Sequence, residues 1–261
     1  MIRSLSSAAT GMQAQSFLVD VTANNIANAN TTGFKRAQVS FQDLIYSTLR
    51  GPGNEVVGGL QVPTGLQVGN GVSIAGTENI FTQGPLDNTG NPLDVAIQGE
   101  GFFQITLPDG TFRYSRDGSF RLTATGQIVT TNGFLLTPPI TIPSTTISIT
   151  IATDGTVTAF DGVNNTVVGN ITLGRFPNPG GLSSEGSNLF RETPASGPVT
   201  LGTPGTTGFG TLQQGFLERS NVEVVTELVN LILAQRIFEF NTRVVRVSDD
   251  MLLSTANLVR L

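Results

Sequence analysis

Acidic side chains and glycines are the only residues of this chain whose spacing invites a chemical reading. Gly99-Glu100-Gly101 holds two glycines of a dinucleotide-binding fingerprint, but the third is missing and no helix is expected to follow, so a close-packed turn accounts for it better. Asp109, Asp117, Asp154 and Asp161 each precede a glycine. A calcium site needs acidic ligands clustered at fixed loop spacing, whereas Asp-Gly is ordinary turn chemistry. Asp94 and Glu100 form a nominal carboxylate pair for glycoside hydrolysis, yet nothing in the sequence fixes their separation. The chain has no His and no Cys, which removes the commonest general base, the serine triad, most zinc sites and all thiolate chemistry. It also has no Trp to stack on a sugar. The expectation is a protein that is not an enzyme, with no catalytic residue, cofactor or metal.

The elements that carry these residues are a β-rich middle between two helical ends. Ile2, Leu5, Ala9, Met12, Ser16, Val19, Ala23 and Ile26 step by three and four, the spacing of a coiled-coil seam, and predict a helix over 4–29. A second seam runs through Val224, Leu228, Leu231, Gln235, Phe238, Thr242, Val245, Asp249, Leu252, Ala256 and Val259. Ser220-x-x-Glu223 has the spacing of a capping box and places the start of this helix near 221. Val225, Val229, Ile232, Phe240, Val244, Val247 and Leu253 lie off the seam, so the second helix is apolar on more than one face. The seam residues Leu5, Met12, Val19 and Ile26, with Leu228, Leu231, Phe238, Val245, Leu252 and Val259, are the expected helical subunit interface.

Between the helices the signals are strands and turns. Mixed periodicity at Phe34, Val39, Phe41, Leu44, Ile45 and Leu49 predicts a short helix around 40–49. Glycines and prolines over 51–66 predict an extended or looped segment with little core. From 67 to 212, Asp109-Gly110, Asp117-Gly118, Asn132-Gly133, Asp154-Gly155 and Asp161-Gly162 read as hairpin turns, and 140–151 is β-branched. Residues 177–211 read as loops with one or two edge strands. The fold class is α+β: long N- and C-terminal helices packed as a coiled-coil-like pair, with a mainly antiparallel β central domain. The expected domains are 1–33 with 221–261 (helical), 34–66 with 213–220 (connecting, with an extended stretch over 46–66), and 67–212 (β-rich, outer).

Composition narrows the class. Net charge is −5, charged residues make up 13%, and the longest basic run is Lys35-Arg36, so nucleic-acid binding is not expected. No stretch reaches the roughly 20 apolar residues that span a bilayer, so the protein is not expected to be membrane-embedded. Ser4, Ser6, Ser7, Thr10 and Gln13 interrupt any apolar signal core, so export without a cleaved signal peptide, or a cytoplasmic location, is expected. From the residues alone, two readings stand. One is a subunit that assembles through its termini. The other is a secreted β-rich binding protein with a helical oligomerisation stalk.

Residues 23–36 read Ala-Asn-Asn-Ile-Ala-Asn-Ala-Asn-Thr-Thr-Gly-Phe-Lys-Arg. Asn24, Asn25, Asn28, Asn30, Thr31, Thr32, Gly33, Phe34 and Lys35 within it resemble the N-terminal signature of the bacterial flagellar rod and hook family. The likeness extends through Asp94-Val95-Ala96-Ile97, Gly99-Glu100-Gly101-Phe102-Phe103, the block from Tyr114 to Phe120, and the block from Gln214 to Val222. Within that family, the stretch containing Tyr46, Arg50, Gly51, Pro52, Pro63 and Gly65 resembles a segment of distal-rod members that stiffens the rod; a proximal rod or other axial subunit is the alternative. Phe41-x-x-x-Ile45 resembles the short signal by which early flagellar substrates engage their export gate. The resemblance implies a helical homopolymer, a hollow drive shaft that transmits torque from motor to hook. It implies as partners the proximal rod proteins, the hook protein, the surrounding ring (bushing) proteins and the export apparatus. It also implies a place in the periplasmic rod of the basal body.

Overall fold

The computed structural model describes residues 2–51, 55–56, 60–61 and 64–259. The fold is α+β, with a long helix near each end and a mainly antiparallel β middle. The chain forms two compact units: 1–26, 37–78 and 224–261 in the first, 27–36 and 79–223 in the second.

The first unit is built on α1 (Ile2–Ala27) and α2 (Val224–Val259). They run antiparallel in one continuous register. Ser4 Oγ lies 3.2 Å from Ser248 Oγ, a Cβ added to Gly11 would meet Asn241 Nδ2 at 3.0 Å, and Asn25 Nδ2 lies 3.5 Å from Glu227 Oε2. Each step of seven or fourteen residues up α1 is matched by an equal step down α2, so both helices keep a heptad relation. Part of each expected seam is nevertheless displaced. Ala9, Ser16 and Ala23 are exposed while Ala8, Thr22 and Asn25 are buried; Leu228, Gln235 and Asp249 are exposed while Glu227, Ala234 and Ser248 are buried. The helices close over small and polar side chains, which permit near approach and hydrogen bonding across the seam. Larger apolar residues are thereby turned outward. The capping box is also displaced: α2 begins at Val224, and Ser220 Oγ instead accepts from the amide of Val222 at 3.2 Å.

No helix forms around 40–49. Strand Ala37–Asp43 pairs with Val72–Asn79, Ser47–Arg50 pairs antiparallel with Leu66–Val68, and Glu55–Val56 pairs with Leu60–Gln61. Where it is described, the stretch expected to be extended or looped therefore pairs as a two-stranded ribbon. Its backbone groups pair across the ribbon, so an extended chain can persist with little core of its own. Two contacts bind its base to α1. Asn25 Nδ2 donates to Ala37 O and Asn25 Oδ1 accepts from Ala37 N, both at 2.9 Å, while Thr10 Oγ1 accepts from Val72 N at 3.4 Å.

The second unit holds a nine-stranded sheet, ordered along its main path as Phe120–Leu122, Ile128–Thr130, Leu135–Thr137, Phe102–Thr106, Phe112–Ser115, Leu189–Arg191 and Ser183–Gly186. Leu173–Arg175 and Thr200–Gly202 branch from it, and Ser148–Ile151, Thr156–Phe160 and Asn165–Asn170 form a three-stranded sheet. Hairpins turn at Asn132-Gly133, Asp154-Gly155 and Asp161-Gly162, as Asn-Gly and Asp-Gly dictate. Asp117-Gly118 is an exception. The strands on either side of it do not pair with each other, and Gly118 is required because a Cβ would lie 1.7 Å from Val95 O. Residues 177–211 hold three strands, and Leu189–Arg191 is interior to the sheet because Phe190 enters an aromatic cluster with Phe102, Tyr114 and Phe176. The main core gathers Val95, Ile97, Phe103, Phe120, Leu136, Ile171 and Leu212, among others.

Candidate functional site

The most concentrated chemistry in the molecule is a buried ionic junction within the second unit. Glu218, on strand Phe216–Glu218, extends its carboxylate between three segments that are remote in sequence. Lys35 Nζ lies 2.5 Å from Glu218 Oε1 and also donates to Thr82 O at 2.7 Å. The amide of Gly84 donates to the same carboxylate oxygen at 2.9 Å, and Arg116 Nη1 lies 3.5 Å from Oε2. The Lys35 and Glu218 side chains are fully buried, and that of Arg116 is 4% exposed. One carboxylate thus serves two buried cations. Burial pushes the Lys35 ammonium below its usual range against the pull of Glu218, and burial likewise lowers Arg116. The Arg116 guanidinium also sits over the Phe102 ring, 5.3 Å from its centroid.

The N-terminal signature supplies one wall of this junction. Gly33 has φ +66 and donates its amide to Glu218 O at 2.8 Å; a Cβ there would meet Asp117 N at 2.6 Å. Glycine is needed both for the backbone conformation and for the close approach. Thr32 Oγ1 donates to Asp117 Oδ1 at 3.1 Å, and Asn188 Nδ2 donates to Thr32 O at 2.8 Å. Asn30 Oδ1 accepts from Arg219 Nη2 at 3.3 Å, and Thr31 Oγ1 donates to Asn28 Oδ1 at 3.1 Å. Asn25 pins Ala37 within the first unit. Asn24 is exposed and Phe34 half-buried.

Glu218, Arg116 and Asn221 were not singled out in the sequence, and Asp117 was read only as a turn residue, although each lies inside a motif block. Their signal is a charged or amide residue embedded among glycines and phenylalanines. The carboxylates that suggested catalysis have structural work instead. Asp94 is buried and accepts from Thr89 Oγ1 at 2.7 Å and Asn91 Nδ2 at 2.9 Å, while Glu100 is exposed and pairs with Arg175 at 2.9 Å. Asp109, Asp154 and Asp161 accept local turn hydrogen bonds. Those bonds, from the Thr111 hydroxyl and amide, the Thr156 amide and the Asn164 amide, hold the three carboxyls below the usual carboxylate range.

Of the expected interface residues, Leu5, Met12, Val19, Ile26, Leu231 and Val245 are half-buried, and Leu228, Phe238 and Leu252 are exposed. The Val259 side chain lies outside the described residues. Phe41 is exposed, and Ile45, at 87%, almost fully so. Tyr46 and Arg50 lie exposed on the ribbon, with Gly51 half-buried and Gly65 exposed; Pro52 and Pro63 fall outside the described residues.

The three motif blocks brought together at the junction also match known families. Residues 5–35 match the family described as flagella basal body rod protein, 96–159 the flagellar hook protein FlgE/F/G D1 domain, and 213–258 the flagellar basal body rod FlgEFG protein C-terminal. The chain is 46% identical over 264 residues to the flagellar basal-body rod protein FlgG of Borreliella burgdorferi, covering all of both chains. It is 47% identical to that of Caulobacter vibrioides over 98% of this chain and 99% of the relative, and 38% identical to that of Bacillus subtilis over all of both. The chain belongs to the flagellar basal-body rod protein family. Full-length identity at this level places it with the FlgG-like members, as a structural subunit of the flagellar basal-body rod. Within the second unit, the junction ties the segments at Lys35, Thr82, Gly84 and Arg116 to the strand Phe216–Glu218.

Proposed function

We propose that the chain polymerises with copies of itself into the distal rod, a hollow helical drive shaft carrying torque from the motor to the hook. The observation that supports this reading is the outward surface of α2, where Val225, Val229, Ile232, Phe240, Val247 and Leu253 are all exposed in the single chain. Fully burying each such side chain on a neighbour contributes roughly 1.5–3 kcal/mol, and an apolar surface this continuous marks a partner site. In a tube wall each copy of α2 is covered by copies on either side, and the half-buried and exposed seam residues from Leu5 to Leu252 take part.

The ribbon is the second element of this reading. Ile45, Tyr46, Leu49 and Leu66 are exposed on it, and a two-stranded ribbon is at best marginally stable alone. Packed between neighbouring subunits, it restricts their sliding and keeps the shaft straight. Deleting 46–66 is expected to give flexible or wrongly sized rods, and straight rods of normal size would refute the stiffening role. Phe41 and Ile45 engage the export apparatus while the chain is unfolded. The finished rod lies in the periplasm between proximal rod proteins and hook protein, inside the ring proteins, and has no enzymatic activity. Immunogold electron microscopy of ring-stripped basal bodies, with antibody against 70–210, tests the reading. Label on the distal rod is expected; unlabelled rods with the protein abundant elsewhere would refute it.

A further inference from the structure

The backbone passes between the two compact units four times, at 26/27, 36/37, 78/79 and 223/224. Inside the β unit, three of these passages meet at one side chain, that of Asn221, and the fourth is held by a bond two residues away. Its Oδ1 accepts from the Arg36 amide at 2.8 Å, and its Nδ2 donates to Ile80 O at 2.7 Å and to Thr82 O at 3.2 Å. A single amide therefore ties the passages at 36/37 and 78/79 to the one at 223/224. The Ile80 amide donates to Arg36 O at 2.9 Å, closing the triangle. Arg219 Nη2 reaches Asn30 on the segment entered at 26/27. Beneath this layer Lys35, Glu218 and Thr82 repeat the same connection with charge.

We propose that Asn221, backed by the Lys35–Glu218 pair, is a load-sharing joint that makes the four passages behave as one stiff element. The inference rests on the rod reading and names the residues through which torque passes along the chain. Four separate strands flex independently under load, whereas strands tied to one another must move together. Asparagine suits the position because one planar amide offers both a donor and an acceptor; aspartate would face two carbonyl oxygens with a charge, and alanine would release all three strands. Asn221 is half-buried and lies outside the hydrophobic core, so its role is in positioning rather than in folding the β unit.

The test uses the full chain carrying Asn221→Ala and, separately, the charge-neutral double variant Lys35→Met/Glu218→Gln. Each is expected to keep the β unit folded, by thermal unfolding of the purified chain, and to enter rods. Isolated variant rods are expected to be bent where wild-type rods are straight. Cells carrying them should swim in dilute medium and lose motility as viscosity is raised. Straight rods and full motility under load in both variants would overturn the joint. Loss of the β-unit fold in Asn221→Ala would overturn it as well, since the residue would then serve folding. Absence of the wild-type chain from rods would instead overturn the rod reading, and with it the load path.

Discussion

Replacing Glu218 with Gln should unfold the β unit far more easily than its single-atom size suggests. The change keeps the shape of the side chain, and the new amide oxygen can still accept from Gly84. It removes the one negative charge that serves both Lys35 and Arg116, whose side chains are 0% and 4% exposed. Breaking a buried pair by deleting one partner costs about 3–5 kcal/mol, because the remaining charge is buried without compensation. A domain is stable by only about 5–15 kcal/mol, so the loss is a large fraction of the total. With a urea slope of about 2–3 kcal/mol/M, the unfolding midpoint should fall by roughly 1–2.5 M. The chain has no Trp and two Tyr, and Tyr114 is buried against the Phe176 ring with centroids 4.7 Å apart, so tyrosine fluorescence in the Tyr46→Phe background reports this unit alone. Lys35→Met/Glu218→Gln removes a cation together with the anion and should recover part of the loss, since only Arg116 is then left without its anion. A change below about 1 kcal/mol for Glu218→Gln, or a double variant no better than the single, would refute the view that the carboxylate is held for its charge.

Three further outcomes follow from the geometry. Burial, helped by the negative charge of Glu192, pushes the Tyr114 phenol up to about 12; the folded state then holds this proton more tightly than the unfolded state, so the group's contribution to stability is lost as pH rises from 10 toward 12. Spectrophotometric titration of Tyr46→Phe should show no phenolate from folded protein near pH 10, and a step there would contradict the burial. Asn25→Ala removes both bonds to Ala37 and should cost about 1–3 kcal/mol, seen as faster hydrogen exchange at the Ala37 amide; unchanged exchange would show that the ribbon base is held by other contacts. Ala234 is 1% exposed in the helix seam whereas Gln235 is exposed, so Ala234→Leu should lower helicity in the isolated chain and Gln235→Leu should not, and the reverse result would restore the displaced seam.

Much of this protein is written locally. The three-and-four spacing from Ile2 to Ile26, and again beyond Val224, requires long helices because it places side chains on one helical face. Asn132-Gly133, Asp154-Gly155 and Asp161-Gly162 require hairpins because those residues accept the backbone angles of tight turns. The missing His and Cys exclude the commonest acid-base and thiolate chemistry outright. The motif blocks were legible as blocks, and their match to rod proteins needed no coordinates. Register and partnership were not legible. The helix seam lies one residue away from its most apolar reading at several positions, since close approach over Gly11, Ala234 and Ser248 outweighs hydrophobicity there. The stretch at 46–66 read only as extended or looped because, where it is described, each strand's hydrogen bonds go to the other strand, a relation that single-strand patterns do not carry. Asp117-Gly118 resembled a hairpin because its glycine answers to the Val95 carbonyl across the fold rather than to a turn. Glu218 lies 183 residues from Lys35, and no periodicity reaches that far. Short-range rules determine which elements form; only the folded chain, by excluding water from one carboxylate and two cations at once, determines which distant residues must belong to one another.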